Sequence, residues 1–262
     1  MIETRIERLR PIEIRKRREE LSVAYLPLGT LEWHGLHNPL GADGLQAEEI
    51  ARRCAMHGGV VFPTVYYGES RVNSLLETDL KYKKGISEYF GIMESCFEEE
   101  HFPYSGMEQI EHYQHHLIHI ISEVASYGYE LVVLIAGHYP LIEHARSAVV
   151  TYNQWAYDKN WKRISCIATA DFVILKGIYE NAGDHAGGWE TSHLLASAPD
   201  TVDMELAVKE KQFGIMSKRD PQYASAEFGN EIYEAAVKKI LDKVENWKKH
   251  PEEYLCHGMC LD

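Results

Sequence analysis

The stretch ELVVLIAGHYP, residues 130–140, decides the fold. From Leu131 to Ala136 it is apolar without a break, where a half-exposed strand would alternate with polar residues. A strand that is apolar on both sides belongs in a parallel sheet covered on both faces. It is far too short to span a membrane, and no other stretch approaches eighteen apolar residues. Upstream, MEQIEHYQHHLIHIISEVASYG (107–128) has the period of an amphipathic helix, which Gly128 can end. Downstream, a helix runs from about 141 to 158. The pattern repeats in both directions. SVAYLPLG (22–29), GGVVFPTVYYG (58–68) and RISCIATA (163–170) read as further strands. Residues 3–20 read as a basic, polar helix, and residues 43–56 as a helix with Ile50 and Ala51 in its apolar stripe. DHAGGWETSHLLASAP (184–199) is a glycine turn opening a helix that Pro199 stops, and 225–247 is a charged amphipathic helix. Residues 69–106 read as a long irregular excursion. Strands alternating with helices give an α/β fold with a mainly parallel sheet flanked by helices. No repeat, low-complexity tract or linker interrupts residues 1–262, so one domain is expected.

Composition narrows the function. The 262 residues carry a formal charge of −13, with 45% hydrophobic and 26% charged residues. Nucleic acid and anionic membranes need clustered Lys and Arg, so neither is an expected partner. Five cysteines in a chain this long do not make a disulfide scaffold. The start, MIETRIERLRPIEIRKRREE, is charged throughout and has no apolar core of a secretory signal, so a cytoplasmic location is expected.

In an open α/β sheet, ligands bind beyond the carboxyl ends of the strands. Three polar clusters fall there. Glu32, His34 and Asp43 follow the strand at 22–29, His138 follows the strand at 130–136, and His185 and Glu190 lie beyond the strand at 163–170. Carboxylates mixed with imidazoles suit Zn²⁺, Mn²⁺ or Fe²⁺ better than Ca²⁺. Five or six such groups exceed one tetrahedral site and match a pair of ions sharing a carboxylate. Glu32 and His34 are two apart, so on an extended segment they point the same way. Taken singly, Glu32, His37 and Asp43 also fit loop or helix-cap roles.

The sequence resembles the creatininase family. The residues that carry this are EWHGLHNPLGAD (32–43), AGHY (136–139) and HAGGWETS (185–192), in family order and at approximate family spacing over about residues 22–204. The resemblance implies a three-layer α/β hydrolase with two divalent metal ions (Zn, Mn or Fe) per chain. By position, Glu32, Asp43 and His138 would hold one ion, and His34 with the shared Asp43 the other. His185 would shuttle protons near the substrate, and Tyr139, Gly187 and Gly188 would line the pocket. Members hydrolyse small cyclic amides or formamides with water that the metals activate. Several form hexamers, so a homo-oligomer is implied.

The chain also departs from the pattern. Pro140 stands where creatininase proper has a glutamate that binds the second metal. Glu190 is the natural replacement, with Glu143 as the runner-up. The two tryptophans that enclose creatinine correspond by motif-anchored counting to Ala170 and Asn181, which points away from creatinine as substrate. HFPYSG (101–106) replaces a family F-P-G-T element, and His101 is a candidate to enter the pocket. Two other readings stay open: a ring-opening hydrolase of a carbocyclic or sugar-derived ketone, and a metal-binding or scaffold protein without catalysis.

Other clusters carry less. His112, His115, His116 and His119 lie opposite the apolar stripe of their helix and should face solvent or a neighbouring subunit. CHGMC (256–260) lacks the second cysteine pair of a structural zinc site.

Overall fold

A computed structural model of the chain describes residues 2–68, 80–209 and 213–255; CHGMC lies outside them. Four parallel strands pair in the order β2-β1-β3-β4. They are β1 (Val23–Leu28), β2 (Val60–Val61), β3 (Leu131–Ala136) and β4 (Ser165–Thr169). β3 is an interior strand and all six of its residues are buried, as its unbroken apolar run requires. It is in register with β1 from Val23↔Leu131 to Leu28↔Ala136, and with β4 from Leu131↔Ser165 to Ile135↔Thr169.

The strand expected over 58–68 contributes only Val60 and Val61 to the sheet. Pro63 cannot donate to a ladder, so the ladder breaks there and only an isolated bridge, Leu28↔Val65, follows. The early end of β2 also explains Pro27 inside β1. The carbonyls of Tyr25 and Pro27 accept from Phe62 and Val65 on the β2 side. The missing N–H of Pro27 falls on that same side, beyond Val61, where it breaks no strand pairing.

Alternate residues build two cores. Ala24, Leu26 and Leu28 of β1 and Val132, Leu134 and Ala136 of β3 face one side. There they meet Leu117, Ile121 and Val124 of α4 (Gly106–Ser126), and Ala145, Val149 and Tyr152 of α5 (Leu141–Asp158). Val23, Tyr25, Leu131, Val133 and Ile135 face the other side, against α2 (Ala42–Ala55) and α9 (Ala226–Lys249). The result is the three-layer α/β arrangement expected from the resemblance. His112, His115, His116 and His119 are all exposed on α4.

The N-terminal segment forms the helix α1 (Pro11–Glu20). Residues 80–106 of the excursion are more ordered than their sequence suggests. They contain α3 (Lys83–Phe90), which buries Ile86, and a turn that buries Phe97. Two short helices are also additions, α6 (Asp171–Leu175) and α8 (Met204–Lys209). The helix expected within 184–199 is α7 (Gly188–Ser197). Among the described residues, no helix is long and apolar enough to cross a membrane.

β1 has β2 on one side and β3 on the other, with chain connections leaving in opposite directions. That is a topological switch point, where a crevice opens beyond the carboxyl ends of the strands. The segments 29–41 and 137–140 leave the sheet there.

Candidate metal centre

α2 sits close against the strand ends because glycines allow it. A Cβ on Gly29 would fall 2.4 Å from the Gly44 nitrogen, and one on Gly137 would fall 2.0 Å from the Asp43 carbonyl oxygen. The first turn of α2, with Asp43, therefore rests directly on the ends of β1 and β3. Gly137→Ala is expected to force the Asp43 backbone outward, costing about 1–3 kcal/mol of overpacking strain. It should lose metal binding while keeping its helical circular dichroism. Normal metal content in that variant would show that the close approach does not position Asp43.

Three other chain segments converge on Asp43. His34 Nε2 lies 3.2 Å from Asp43 Oδ1, 3.4 Å from Glu32 Oε1 and 3.4 Å from Glu190 Oε2. His138 Nδ1 lies 3.2 Å from Glu32 Oε1 and 3.7 Å from Asp43 Oδ2. His185 Nδ1 lies 3.4 Å from Glu32 Oε1. All six side chains are buried. Three carboxylates this close in a buried place repel one another unless cations hold them. Asp43 Oδ2 is buried without a hydrogen bond. The donor atoms fall into three compact groups: Glu32, Asp43 and His138; His34, Asp43 and Glu190; and Glu32, His34 and His185. The first two share Asp43. Imidazole and carboxylate donors in this arrangement fit divalent Zn, Mn or Fe.

Protonation follows from the crowding. Burial alone would lower the His34 pKa, but the carboxylates of Asp43, Glu190 and Glu32 hold it up at about 10. Burial raises Asp43, yet the imidazoles of His34, His138 and His185 outweigh it and bring the carboxyl down to about 2. Burial pushes Glu190 up to about 8, and it pushes His185 down to about 3, with the His34 charge adding to the latter. His185 is thus neutral. Its Nε2 lies 2.8 Å from the Trp33 carbonyl, a contact that needs the proton on Nε2. Nδ1 is left as an acceptor facing the cluster.

Neighbouring contacts set these side chains in place. Ala186 takes the left-handed φ of 55°, and its N–H donates to Glu190 Oε2 at 2.8 Å. Gln46 donates to Glu190 Oε1 at 3.3 Å. Asp184 accepts from the Trp189 and Glu190 amides and from Ser217 Oγ, which fixes the start of α7. His37 reaches Thr191 Oγ1 at 3.1 Å rather than the cluster.

A cavity of about 300 Å³ opens over the cluster. Tyr139 lines it and is 56% exposed, with its ring 5.5 Å from that of Phe172, another wall residue. His34 is fully buried and does not itself line the cavity. Gly187 and Gly188 lie beside the wall, against Ser217 and Arg219, rather than in it. His101 is exposed on a turn and is not a lining residue. Glu143 is exposed on α5 and pairs with Arg146 at 3.1 Å, so the structure brings Glu190 and not Glu143 to the cluster. Trp189, which precedes Glu190 on α7, lines the cavity too. Successive helix residues turn about 100°, enough to serve two walls. Gln46, Asp171 and Asp184 also line it and have no place in the sequence reading. Asp171 could have been found there, since it stands two residues beyond β4, where the strand-end rule looks.

A sequence profile described as creatinine amidohydrolase matches residues 7–77 and 89–244. The chain belongs to the creatininase family. A creatinine amidohydrolase of Pseudomonas putida is 26% identical over 251 residues, covering 85% of this chain and 88% of its own. A crystal structure of creatinine amidohydrolase (creatininase) superposes with a TM-score of 0.70 at 21% identity, covering 96% of this chain and 99% of the other. A structure described as creatininase Mn gives 0.69 at 21%, covering 97% and 99%. These likenesses fix the creatininase fold, in which the cluster above occupies the strand-end crevice.

Proposed function

We propose that this creatininase-family chain is a metal-dependent hydrolase that cleaves the C–N bond of a small cyclic amide or formamide. The observation that carries it is the convergence of six buried ligand-type side chains into three compact groups, two of which share Asp43. The names of the relatives add support: creatinine amidohydrolase, and creatininase structures described as Mn and as Zn-Zn type. Glu32, Asp43 and His138 would hold one divalent ion, and His34, Asp43 and Glu190 a second. When bound, such ions lower the pKa of water and polarise a carbonyl.

The chain's own residues do the rest. The Trp33 carbonyl keeps the proton of His185 on Nε2, so Nδ1 can take a proton from the attacking water. The hydroxyl adds to the carbonyl carbon, the C–N bond breaks, and Nδ1 returns the proton to the leaving nitrogen. Tyr139 and Phe172 cover an apolar part of the ring, in place of the tryptophans that Ala170 and Asn181 do not supply.

The test is a screen of cyclic amides, formamides and keto-sugars against protein loaded with Zn, Mn or Fe, beside protein stripped by a chelator. Turnover of an amide only in the loaded samples is the expected result. Turnover of ketones alone would move the reaction to ring opening of a carbocycle or sugar. No turnover of any class would leave a metal-binding protein without catalysis.

A further inference from the structure

Asp171 is 6% exposed, yet it lines the cavity. Its Oδ2 accepts the indole N–H of Trp189 at 2.7 Å, with His193 Nε2 3.5 Å away. Its Oδ1 makes no hydrogen bond among the described residues. The other lining carboxylates are engaged. Glu32, Asp43 and Glu190 belong to the ligand cluster, and Asp184 accepts from two amides and a hydroxyl. The described lining contains no Lys or Arg side chain. An anionic group entering beside Asp171 would therefore meet like charge with no cationic side chain in the described lining to offset it.

We propose that Asp171 determines specificity: its Oδ1 accepts a hydrogen bond from an N–H or O–H on an uncharged or cationic ring, and the cavity rejects carboxylated and phosphorylated compounds. This rests on the hydrolase reading above and names the substrate class within it. A buried carboxylate prefers a donor strongly because a substrate lacking one leaves the charge without a partner. The Trp189 N–H fixes which oxygen is spoken for. In Asp171→Asn the amide oxygen should stay on Trp189, which turns an NH₂ donor toward the cavity and reverses the preference.

The test uses three probes on zinc-loaded, diamagnetic protein, with dissociation constants from ligand-observed NMR titration. They are 2-pyrrolidinone, which has an N–H; N-methyl-2-pyrrolidinone, which has none; and pyroglutamate, which has an N–H and a carboxylate. The native protein should bind 2-pyrrolidinone about tenfold or more tighter than either of the others. In Asp171→Asn the ratio of the two neutral lactams should fall to about one or invert. The bulk of the N-methyl group is the same in both proteins, so a steric preference alone would leave the ratio unmoved. An unchanged ratio, equal binding of pyroglutamate by the native protein, or no binding of 2-pyrrolidinone would each overturn the proposal. Metal content is measured on the same samples. Loss of metal in the native protein counts against the hydrolase reading, whereas full metal content with an unchanged ratio counts against Asp171 alone.

Discussion

An Asp43→Ala chain is expected to hold no divalent metal, against the two ions proposed for the native chain. Asp43 is the one residue common to the group with Glu32 and His138 and the group with His34 and Glu190. Its two oxygens divide between them, Oδ1 toward His34 and Oδ2 toward His138. Burial raises its pKa, but three imidazoles bring the carboxyl down to about 2, so it is ionised at every working pH. Removing it takes one anionic donor from both positions at once. Substitutions in the outer shell of metal sites already weaken affinity by about 10–100-fold. Loss of a shared ligand should exceed that for each ion, and hydrolysis should disappear with the metal. Elemental analysis of the purified protein after dialysis reads the stoichiometry. Asp43→Asn keeps the volume and removes the charge; it should fail in the same way with an unchanged circular dichroism spectrum. One ion retained at full occupancy in both variants would show that Asp43 serves a single position.

The three long strands were legible because burial on both faces leaves an unbroken apolar run. Leu131–Ala136 is the clearest case, and Val23–Leu28 and Ser165–Thr169 follow it. β2 was legible only in part, because β propensity extends past Pro63 whereas ladder pairing does not. α3 was hidden for another reason. KKGISEYF carries Gly85, a poor helix former, and the helix is stabilised by tertiary contacts of Ile86 that no local pattern reveals. The ligand cluster could be anticipated from chemistry at strand ends, since each member is an unusual residue for its place. Gln46 and Asp184 could not. Each looks like an ordinary helix or turn residue until the fold sets it beside Glu190. One signal for Gln46 is available in hindsight: it follows Asp43 by three residues on a helix, and so shares its face.

Glu190→Gln should reduce metal content from two ions per chain to one, while Glu143→Gln keeps both. Glu190 Oε2 lies 3.4 Å from His34 Nε2, whereas Glu143 is exposed and paired with Arg146. Glutamine keeps the size and the contacts to Gln46 and Ala186 within reach, but it cannot offer an anionic oxygen. Affinity for the second ion should fall by more than about 10²-fold, beyond the outer-shell range. The change also has a proton signature. Burial pushes Glu190 up to about 8, so in the metal-free protein it holds a proton below that pH. A ligand carboxylate must be deprotonated, so uptake of the second ion releases this proton, and affinity weakens as the pH falls below about 8. His34, held up at about 10 by its carboxylate neighbours, adds a release of its own at neutral pH. Calorimetric titration with Zn²⁺ at pH 7, in two buffers of different ionisation heat, counts the protons. The native protein should release at least one more proton per chain than Glu190→Gln. Full metal content in Glu190→Gln, with the same proton count as the native protein, would remove Glu190 from the second position and leave His34 there with a different set of partners, of which Glu32 and His185 form a compact group with it.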